Sequence, residues 1–221
     1  MKKILILLLL LPILSFAQTK KEIVALYDKL EKKGTKDFSF NFIDTISYKT
    51  KSDFFLLTKV YFTEKFPYAT DIIQLEDKEI GIIIVRSSFD WVYKPTYPSF
   101  DKIRITYYYL MKIECREGRY RMDMYDIIYT LSDAKGEFPP SKEYKLTDIT
   151  NTYKNVFESK EKKNKERSIK TIRDKELDDL RRHSNLVYNI LKGVDENVDK
   201  VFLDINKFVI DQVVKEQKEQ W

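Results

Sequence analysis

Apolar and polar residues alternate along the segment that begins at Phe38 and ends at Tyr48. The apolar side chains at every second position are Phe38, Phe40, Phe42, Ile46 and Tyr48. A period of two residues is typical of a β-strand with one buried face. The pattern therefore predicts a strand over this segment.

A longer alternation runs from Lys102 to Thr130 and is interrupted at Glu117-Gly118, which predicts two strands joined by a two-residue turn. Such a turn fixes which residues face each other. The apolar pairs are Cys115 with Tyr120, Ile113 with Met122 and Met111 with Met124, and the charged pairs are Glu114 with Arg121 and Lys112 with Asp123. We expect one buried face and one face with opposite charges paired across the strands.

The alternation slips near the end of the second strand. Strict continuation would place Asp126 on the buried face and turn Ile127 outward. A β-bulge near Tyr125-Asp126 would restore the pattern. A half-buried carboxylate at Asp126 is the alternative, and the sequence leaves both open.

The stretch "DIIQLEDKEIGIIIVR", residues 71–86, places three acids between two isoleucine-rich runs. As a hairpin it would set Leu75 opposite Ile80 and Ile73 opposite Ile82. Glu76 would then face Glu79, an unfavourable like-charge pair that Lys78 relieves or that a four-residue loop avoids. A site for a hard cation is the competing interpretation, but the stretch has neither the alternating acids nor the glycine of a calcium loop. The sequence favours the hairpin, and no metal site or cofactor is predicted anywhere in the chain.

Apolar residues at helical spacing predict three helices outside these strands. The first ends at Gly34, the second is capped by Ser52 and ends before Pro67, and the third begins near Thr147.

Two apolar stripes separated by Gly193 predict a helical hairpin at the C-terminus. The first stripe consists of Leu177, Leu180, Val187, Tyr188 and Leu191, and the second of Val198, Val201, Phe202, Ile205, Phe208 and Val209. The run from Lys160 to Arg173 is basic but contains Glu161 and Glu166. It is expected to be a solvated helix surface or a linker.

The first residues, "MKKILILLLLLPILSFAQ", have the organisation of an export signal. Two lysines precede an apolar core, and Ser15-Phe16-Ala17 is a cleavage site of small residues. The apolar core is too short to favour a membrane span. Cleavage after Ala17 would release a periplasmic or secreted protein that is not a lipoprotein and has no stable membrane span.

Composition excludes several kinds of site. The formal charge of +5 falls to +3 when the two signal lysines are removed, which favours neither nucleic acid nor an anionic membrane as partner. Cys115 is the only cysteine and His183 the only histidine, so an internal disulfide, a multi-histidine zinc site and most His-based triads are excluded. The alternation predicts that Cys115 is buried, and the cations around His183 predict a surface position.

Aromatic residues are concentrated between Ser87 and Phe100, in the proline-containing stretch "SSFDWVYKPTYPSF". Trp91, Tyr93, Tyr97 and Phe100 on a stiffened loop would be suitable contact residues for a partner. The same side chains could instead form a lid over the sheet, because large aromatics are usually buried. Both interpretations stay open.

Three segments carry a family resemblance: "KSDFFLLTKVYFTEKF", "DIIQLEDKEIGIIIVR" and "YYYLMKIECREGRYRMDMYD". They resemble the exported bacterial domain of unknown function 4468, which implies a TATA-binding-protein-like (TBP-like) α+β fold. That fold is one curved antiparallel sheet in the order strand, helix, four strands, helix, with the helices on one face. The resemblance covers residues 38–159. It implies no activity, ligand or catalytic residue.

The expected organisation is therefore a signal peptide at 1–17, an N-terminal helix within 18–37, the α+β domain at 38–159 and a charged helical extension with a hairpin at 160–221. The leading hypothesis for function is a non-enzymatic envelope protein that binds a protein or envelope component through its sheet face, an edge strand or the aromatic loop. The C-terminal hairpin would provide a surface for homo-oligomers. The alternative is a small-ligand carrier or a carboxylate-based enzyme that uses Asp126 with Tyr107 or Tyr109 on the inner sheet face.

Overall fold

The computed structural model describes residues 21–35, 37–66, 68–95, 102–135, 140–149 and 170–219. Its helices are α1 (residues 21–33), α2 (Lys51–Lys65), α3 (Ala69–Ile72), α4 (beginning at 146–149) and α5 (Lys170–Glu219). Its strands are β1 (Phe40–Thr45), β2 (Ile73–Asp77), β3 (Ile82–Tyr93), β4 (Ile103–Arg116), β5 (Arg119–Asp133) and β6 (Tyr144–Lys145). The predicted signal peptide and residues 160–169 of the basic run lie outside the described residues, whereas residues 170–173 of that run belong to α5.

The described strands form one sheet in the order β1-β5-β4-β3-β2, and β6 pairs with β5. β1 runs antiparallel to β5, with Phe42 opposite Met122 and Asp44 opposite Tyr120, and β2 runs antiparallel to β3. From β1 onward, the chain follows the predicted order of strand, helix, four strands and helix, with the one-turn α3 and the two-residue β6 added. The predicted α+β class is confirmed.

The β4–β5 hairpin follows the sequence closely. Gly118 has φ +71°, a conformation that favours glycine, and the turn has the predicted two residues. All six predicted inward side chains are buried: Met111, Ile113, Cys115, Tyr120, Met122 and Met124. The charged residues share the opposite face, but the recorded ion pairs join residues of one strand: Lys112 Nζ to Glu114 at 3.1 Å and Arg121 to Asp123 at 2.7 Å. The two-residue turn sets Glu114 opposite Arg121 and Lys112 opposite Asp123, as predicted, while these long side chains form their ion pairs with a neighbour two residues away on the same strand.

A β-bulge repairs the slip in β5, as predicted. Asp126 has φ +51° and is exposed, whereas Ile127 is only 4% exposed. The extra residue brings Ile127 back to the buried face. The alternative of a half-buried carboxylate at Asp126 was wrong.

The β2–β3 hairpin has a four-residue loop, residues 78–81, so the open form of the predicted loop is confirmed. Asp77 lies opposite Ile82 and Leu75 opposite Ile84, and the register shifts between Ile73 and Leu75. The expected pairings of Leu75 with Ile80 and of Ile73 with Ile82 were therefore wrong, and Ile73 lies opposite Val85 instead. Gly81 explains why: its φ is +74°, and its carbonyl accepts a 2.7 Å bond from the N–H of Cys115.

Thr50, rather than the predicted Ser52, caps α2. The Thr50 side chain accepts a bond from the N–H of Asp53, and the Asp53 carboxylate accepts one from the N–H of Thr50 at 2.8 Å. This reciprocal pair is a capping box. The backbone bond to Asp53 also holds the pKa of its carboxyl below the usual value. α2 ends at Lys65, as expected from Pro67.

The predicted C-terminal hairpin was wrong, because α5 is one helix of 50 residues that continues through Gly193. Glycine inside a helix costs only about 1 kcal/mol relative to alanine. Burial of a continuous stripe outweighs that cost. Its members recur every three or four residues: Ile190, Val194, Val198, Phe202, Ile205, Val209 and Val213.

The chain divides into two compact units. The first consists of residues 1–33, 90–105 and 129–195. Within it, Tyr129 stacks on Tyr144 at 5.5 Å, the N–H of Ala134 bonds to the carbonyl of Lys102, and Lys29 pairs with Asp195 at 2.6 Å.

The second unit consists of residues 34–89, 106–128 and 196–221. Its two long helical segments pack on one face of the sheet. Phe54 of α2 contacts Tyr120 at 5.1 Å, Phe202 of α5 stacks on Phe42 at 5.9 Å, and the Tyr120 hydroxyl donates to Asn206 of α5. This buried face is called the inner face below.

Candidate binding surface

The aromatic segment is largely strand rather than loop. β3 extends to Tyr93, so Ser87–Tyr93 continues the sheet, and the prediction of a loop from Ser87 was wrong for this part. Alternate residues of the extension turn inward, which includes Ser87, 8% exposed, and Tyr93, 9% exposed. Burial raises the pKa of Tyr93 to about 12. Tyr93 is therefore placed for packing rather than for contact with a partner.

Trp91 is half-buried in the first unit. The ammonium group of Lys192 lies 5.9 Å from the centre of the Trp91 ring and 5.8 Å from that of Tyr188. Within the described residues, the buried indole nitrogen of Trp91 has no hydrogen-bond partner. These contacts hold Trp91 against α5. Tyr97 and Phe100, the other two aromatic candidates, lie outside the described residues.

Asp126 and the inner tyrosines do not share a cleft. Asp126 is exposed at the bulge, whereas Tyr107 is fully buried and stacks on Phe89 at 4.9 Å. Tyr109 is also buried, and burial raises the pKa of its hydroxyl. Phe54 of α2 and Phe202 of α5 pack on the inner face of the second unit.

The single cysteine and the single histidine occupy the predicted environments. Cys115 is fully buried, and burial raises the pKa of its thiol to about 12. A thiol with so high a pKa is not a nucleophile at neutral pH. His183 is exposed on α5.

The acidic residues between positions 76 and 79 form contacts within the hairpin and with α2. Glu76 pairs with Lys59 of α2 at 2.9 Å, and the Asp77 carboxylate accepts a 3.0 Å bond from the N–H of Ile80. The carbonyl of Glu79 accepts a bond from the ammonium of Lys51. In the part of the chain that the structure describes, no three His, Cys, Asp or Glu residues are grouped in a way that could hold a metal ion.

The sheet of the second unit has an outer face opposite α2 and α5. Ile83 and Val85 are buried on the inner face, so Ile82 and Ile84 project outward. Leu75 lies opposite Ile84 and shares this face, 47% exposed, and half-buried Leu110 alternates with buried Tyr109 and Met111 on β4. We call Leu75, Ile82, Ile84 and Leu110 the apolar half of the outer face.

The other half of the outer face is charged. Glu114 accepts bonds from Lys112 at 3.1 Å and from Arg116 Nε at 2.7 Å, and both lower the pKa of its carboxyl, Arg116 more strongly. Arg121 and Asp123 form the second pair. Charges that already have a partner on the same face cost little to leave partly exposed beside an apolar surface.

The sequence predicted a sheet face as one possible binding surface but did not identify the residues that form it. A signal was present. Ile82 and Ile84 stand at positions that strict alternation would give to polar residues, as it does in the β4–β5 hairpin. Apolar residues on both faces of a strand indicate that both faces are covered or in contact with something.

A shallow open depression of about 400 Å³ lies where β1 meets α2. It is lined by Thr45, Ser47, Tyr48, Lys49, Thr50, Glu117, Gly118 and Arg119. The Glu117 carboxylate accepts a 3.2 Å bond from the N–H of Lys51 and so occupies the N-terminus of α2. The depression therefore lies where the turn between β4 and β5 contacts the N-terminus of α2.

Comparison with known families agrees with this fold. Residues 42–130 match the family model of DUF4468, a domain of unknown function with TBP-like fold. The predicted resemblance is confirmed, and the matched segment runs from β1 into β5. The DUF4468 model assigns no function, and no curated protein matches the chain.

Two solved structures are similar to the chain. A DUF4468 family protein from Bacteroides ovatus is 15% identical over 50% of this chain and 61% of its own, with a TM-score of 0.40. A TBP-like protein from Parabacteroides distasonis is 19% identical over 79% of this chain and 93% of its own, with a TM-score of 0.46. The chain thus spans about three fifths of the Bacteroides ovatus structure.

No helix within the described ranges combines the length and the apolar character needed to cross a bilayer.

Proposed function

We propose that the protein is an exported, non-enzymatic binding module that holds a protein partner of the cell envelope on the outer face of its sheet. The observation that carries this proposal is the apolar half of the outer face. Leu75 is 47% exposed there, beside Ile84, while Phe54 of α2 and Phe202 of α5 pack on the inner face. Contact with a partner would remove this surface from water.

The mixed character of the outer face suits a protein partner. An apolar centre beside polar, ion-paired residues is the usual composition of a protein interface. The charged half contains Lys112, Arg116 and Arg121 together with Glu114 and Asp123, and Arg86 and Arg119 are exposed on the same face, so acids interrupt a surface that is otherwise basic. A nucleic acid would require a continuous basic surface.

The positions of the titratable candidates support a role without catalysis. The Cys115 thiol is buried, and burial raises its pKa to about 12. Asp126 is exposed, whereas Tyr107 is fully buried. A nucleophile needs a base within hydrogen-bond reach, and neither residue is placed for that arrangement.

Site-specific photo-crosslinking in cells tests the proposal. A crosslinker at position 75 is expected to capture a partner, and Ile84→Glu is expected to abolish that capture. The matched control is Leu56, which is 60% exposed on α2 and away from the outer face. A crosslinker at 56 should capture nothing, and Leu56→Glu should leave capture at position 75 unchanged.

Capture that survives Ile84→Glu, in a variant with unchanged circular dichroism, would contradict the proposal. Export is tested separately. The N-terminus of the protein recovered outside the inner membrane should begin at Gln18, and a protein that stays in the cytoplasm would contradict that part.

A further inference from the structure

The outer face of the second unit has a basic end at the turn between β4 and β5. Arg116 ends β4 and Arg119 begins β5, so the two-residue turn sets them directly opposite each other. Arg121 follows two residues along β5. All three are exposed and alternate with buried Cys115 and Tyr120, which places them on the outer face. We call Arg116, Arg119 and Arg121 the arginine end.

The acids of the outer face do not neutralise this end. Glu114 is shared by Lys112 and Arg116, and Asp123 pairs with Arg121. Two carboxylates therefore serve three cations before Arg119 is counted.

Arg119 is the cation without an acid. Among the described residues it makes no ion pair. The carboxylate of Glu117 accepts the N–H of Lys51 at 3.2 Å and is thereby held at the N-terminus of α2. Arg119 instead faces Arg116 across the turn, and like charges directly opposite each other destabilise a strand pair. An anion supplied from outside would relieve this repulsion.

Arg119 also lines the open depression of about 400 Å³ beside the turn. Ser47 and Tyr48 are exposed in the same lining and bring hydroxyl donors to it. Lys49 is a lining residue too, but its ammonium group is paired with Glu216. A guanidinium beside hydroxyl donors is an arrangement that binds a carboxylate. The arginine end thus continues into a concave surface that can receive an acidic side chain.

The other charges of the outer face lie away from the turn. The Asp77 carboxylate accepts the N–H of Ile80 at 3.0 Å, and Asp126 is exposed at the bulge, seven residues along β5 from Arg119. Arg86 is exposed on β3. The positive charge is therefore concentrated at the arginine end.

We propose that the outer face binds an acidic segment of its protein partner, with the partner's carboxylates at the arginine end and its apolar side chains on Leu75, Ile82 and Ile84. This inference rests on the proposed function and names the chemistry of the partner. β3 lies next to β4, so the apolar and basic surfaces adjoin on one sheet. Complementary charge of this kind gives an interface its orientation and specificity.

A protein segment fits both surfaces at once. A polysaccharide or a nucleic acid supplies anions without aliphatic side chains. In a lipid layer the anionic groups lie above the acyl chains, whereas the two surfaces here lie side by side. A polypeptide presents carboxylates and aliphatic side chains in that arrangement.

Fluorescence anisotropy with synthetic peptides tests this chemistry. The probe peptide carries leucines in one half and glutamates in the other. One control peptide has lysines in place of the glutamates, and a second has glycines in place of the leucines. Only the probe is expected to bind the purified protein, and added salt should weaken binding because exposed charges are screened. A probe that does not bind, or binds no better than either control, overturns the proposal.

Two substitutions should change probe binding in opposite directions. Arg119→Glu should weaken it about tenfold, in keeping with the loss of one charge-assisted hydrogen bond. Glu114→Gln releases Lys112 and Arg116 and should tighten it. Lys200→Glu is the matched control, because it makes the same change of charge at an exposed residue of α5 and should have no effect. With circular dichroism unchanged, unaltered binding in Arg119→Glu or weaker binding in Glu114→Gln overturns the proposal.

Photo-crosslinking in cells separates this inference from the proposed function. Arg119→Glu should reduce capture at position 75, and Lys200→Glu should leave it unchanged. Capture that survives Arg119→Glu overturns the acidic segment and leaves the binding module standing. Absence of capture in the otherwise wild-type protein overturns both.

Discussion

The hydroxyl of Tyr61 on α2 donates a hydrogen bond to Oδ2 of Asp204 on α5 at 2.8 Å. Lys65, one turn further along α2, pairs with the same carboxylate and lies 5.3 Å from the centre of the Tyr61 ring. One carboxylate thus joins the two helices of the second unit above the inner face.

Tyr61→Phe removes this bond while keeping the ring. We expect the free energy of unfolding to fall by about 1 kcal/mol, the usual net value of a hydrogen bond. Urea unfolding followed by circular dichroism measures it. Tyr68→Phe is the control, because Tyr68 is 74% exposed, and it should change nothing. Equal effects of the two substitutions would show that the Asp204 bond does not stabilise the protein.

Thr50→Ala removes the side-chain half of the capping box on α2. The expected loss is about 1 kcal/mol of unfolding free energy. Ser52→Ala, at the exposed residue where the sequence predicts the cap, is expected to have an effect close to zero. Thermal unfolding of both variants decides between the positions, and a larger loss for Ser52→Ala would reject the observed cap.

Gly81→Ala and Gly118→Ala compare two glycines of positive φ. Alanine in this conformation costs about 1–2 kcal/mol by itself, which is the loss expected at Gly118, where an added Cβ stays 3.4 Å from Ser47. At Gly81 the added Cβ would lie 2.5 Å from the carbonyl oxygen of Cys115. Gly81→Ala should therefore be clearly the more destabilising in urea. Similar losses at both sites would indicate that β3 and β4 can move apart there.

Buried tyrosines predict a loss of stability at high pH. Burial raises the pKa of Tyr61, Tyr93 and Tyr129 from 10.0 to about 12. Because the neutral form is favoured in the folded state, this contribution is complete below pH 10 and is lost as pH rises towards 12. Urea unfolding at a series of pH values should show the decline, together with phenolate absorbance on unfolding. A free energy that stays constant across this window would contradict the burial of these hydroxyls.

The β4–β5 hairpin could be predicted residue by residue because its turn is local. Glu117-Gly118 fixes the register, and the register fixes the faces of Cys115 and Tyr120. The same argument gave the bulge at Asp126 as one of two possibilities, since the burial of Ile127 requires one extra residue.

The loop length of the β2–β3 hairpin and the continuity of α5 through Gly193 depend on interactions between residues far apart in the sequence. The four-residue loop is set by the bond from Cys115 to Gly81, which joins residues far apart in sequence. Gly193 resembles a stop signal, but its cost is small beside the burial of residues on both sides. A local sequence pattern gives the cost of a glycine inside a helix, but it does not show the tertiary packing that outweighs this cost.

The extension of β3 was missed for a similar reason. Ser87 looks like the beginning of a loop, yet it lies on the inner face and forms a side-chain hydrogen bond with Tyr109. A polar residue at an inward position is accepted when a partner is present, and the partner belongs to another strand. The outer face, likewise, could be located only once it was known which side of the sheet the helices cover.

Cys115 allows the opening of the β4–β5 hairpin to be measured by thiol labelling. Its thiol is fully buried and is the only one in the sequence, so a thiol reagent can react only after β4 separates from its neighbours. When closing is faster than labelling, the observed rate divided by that of a free thiol gives the equilibrium constant for opening. The molecule therefore carries its own site-specific reporter of how often its core opens, and no label has to be introduced.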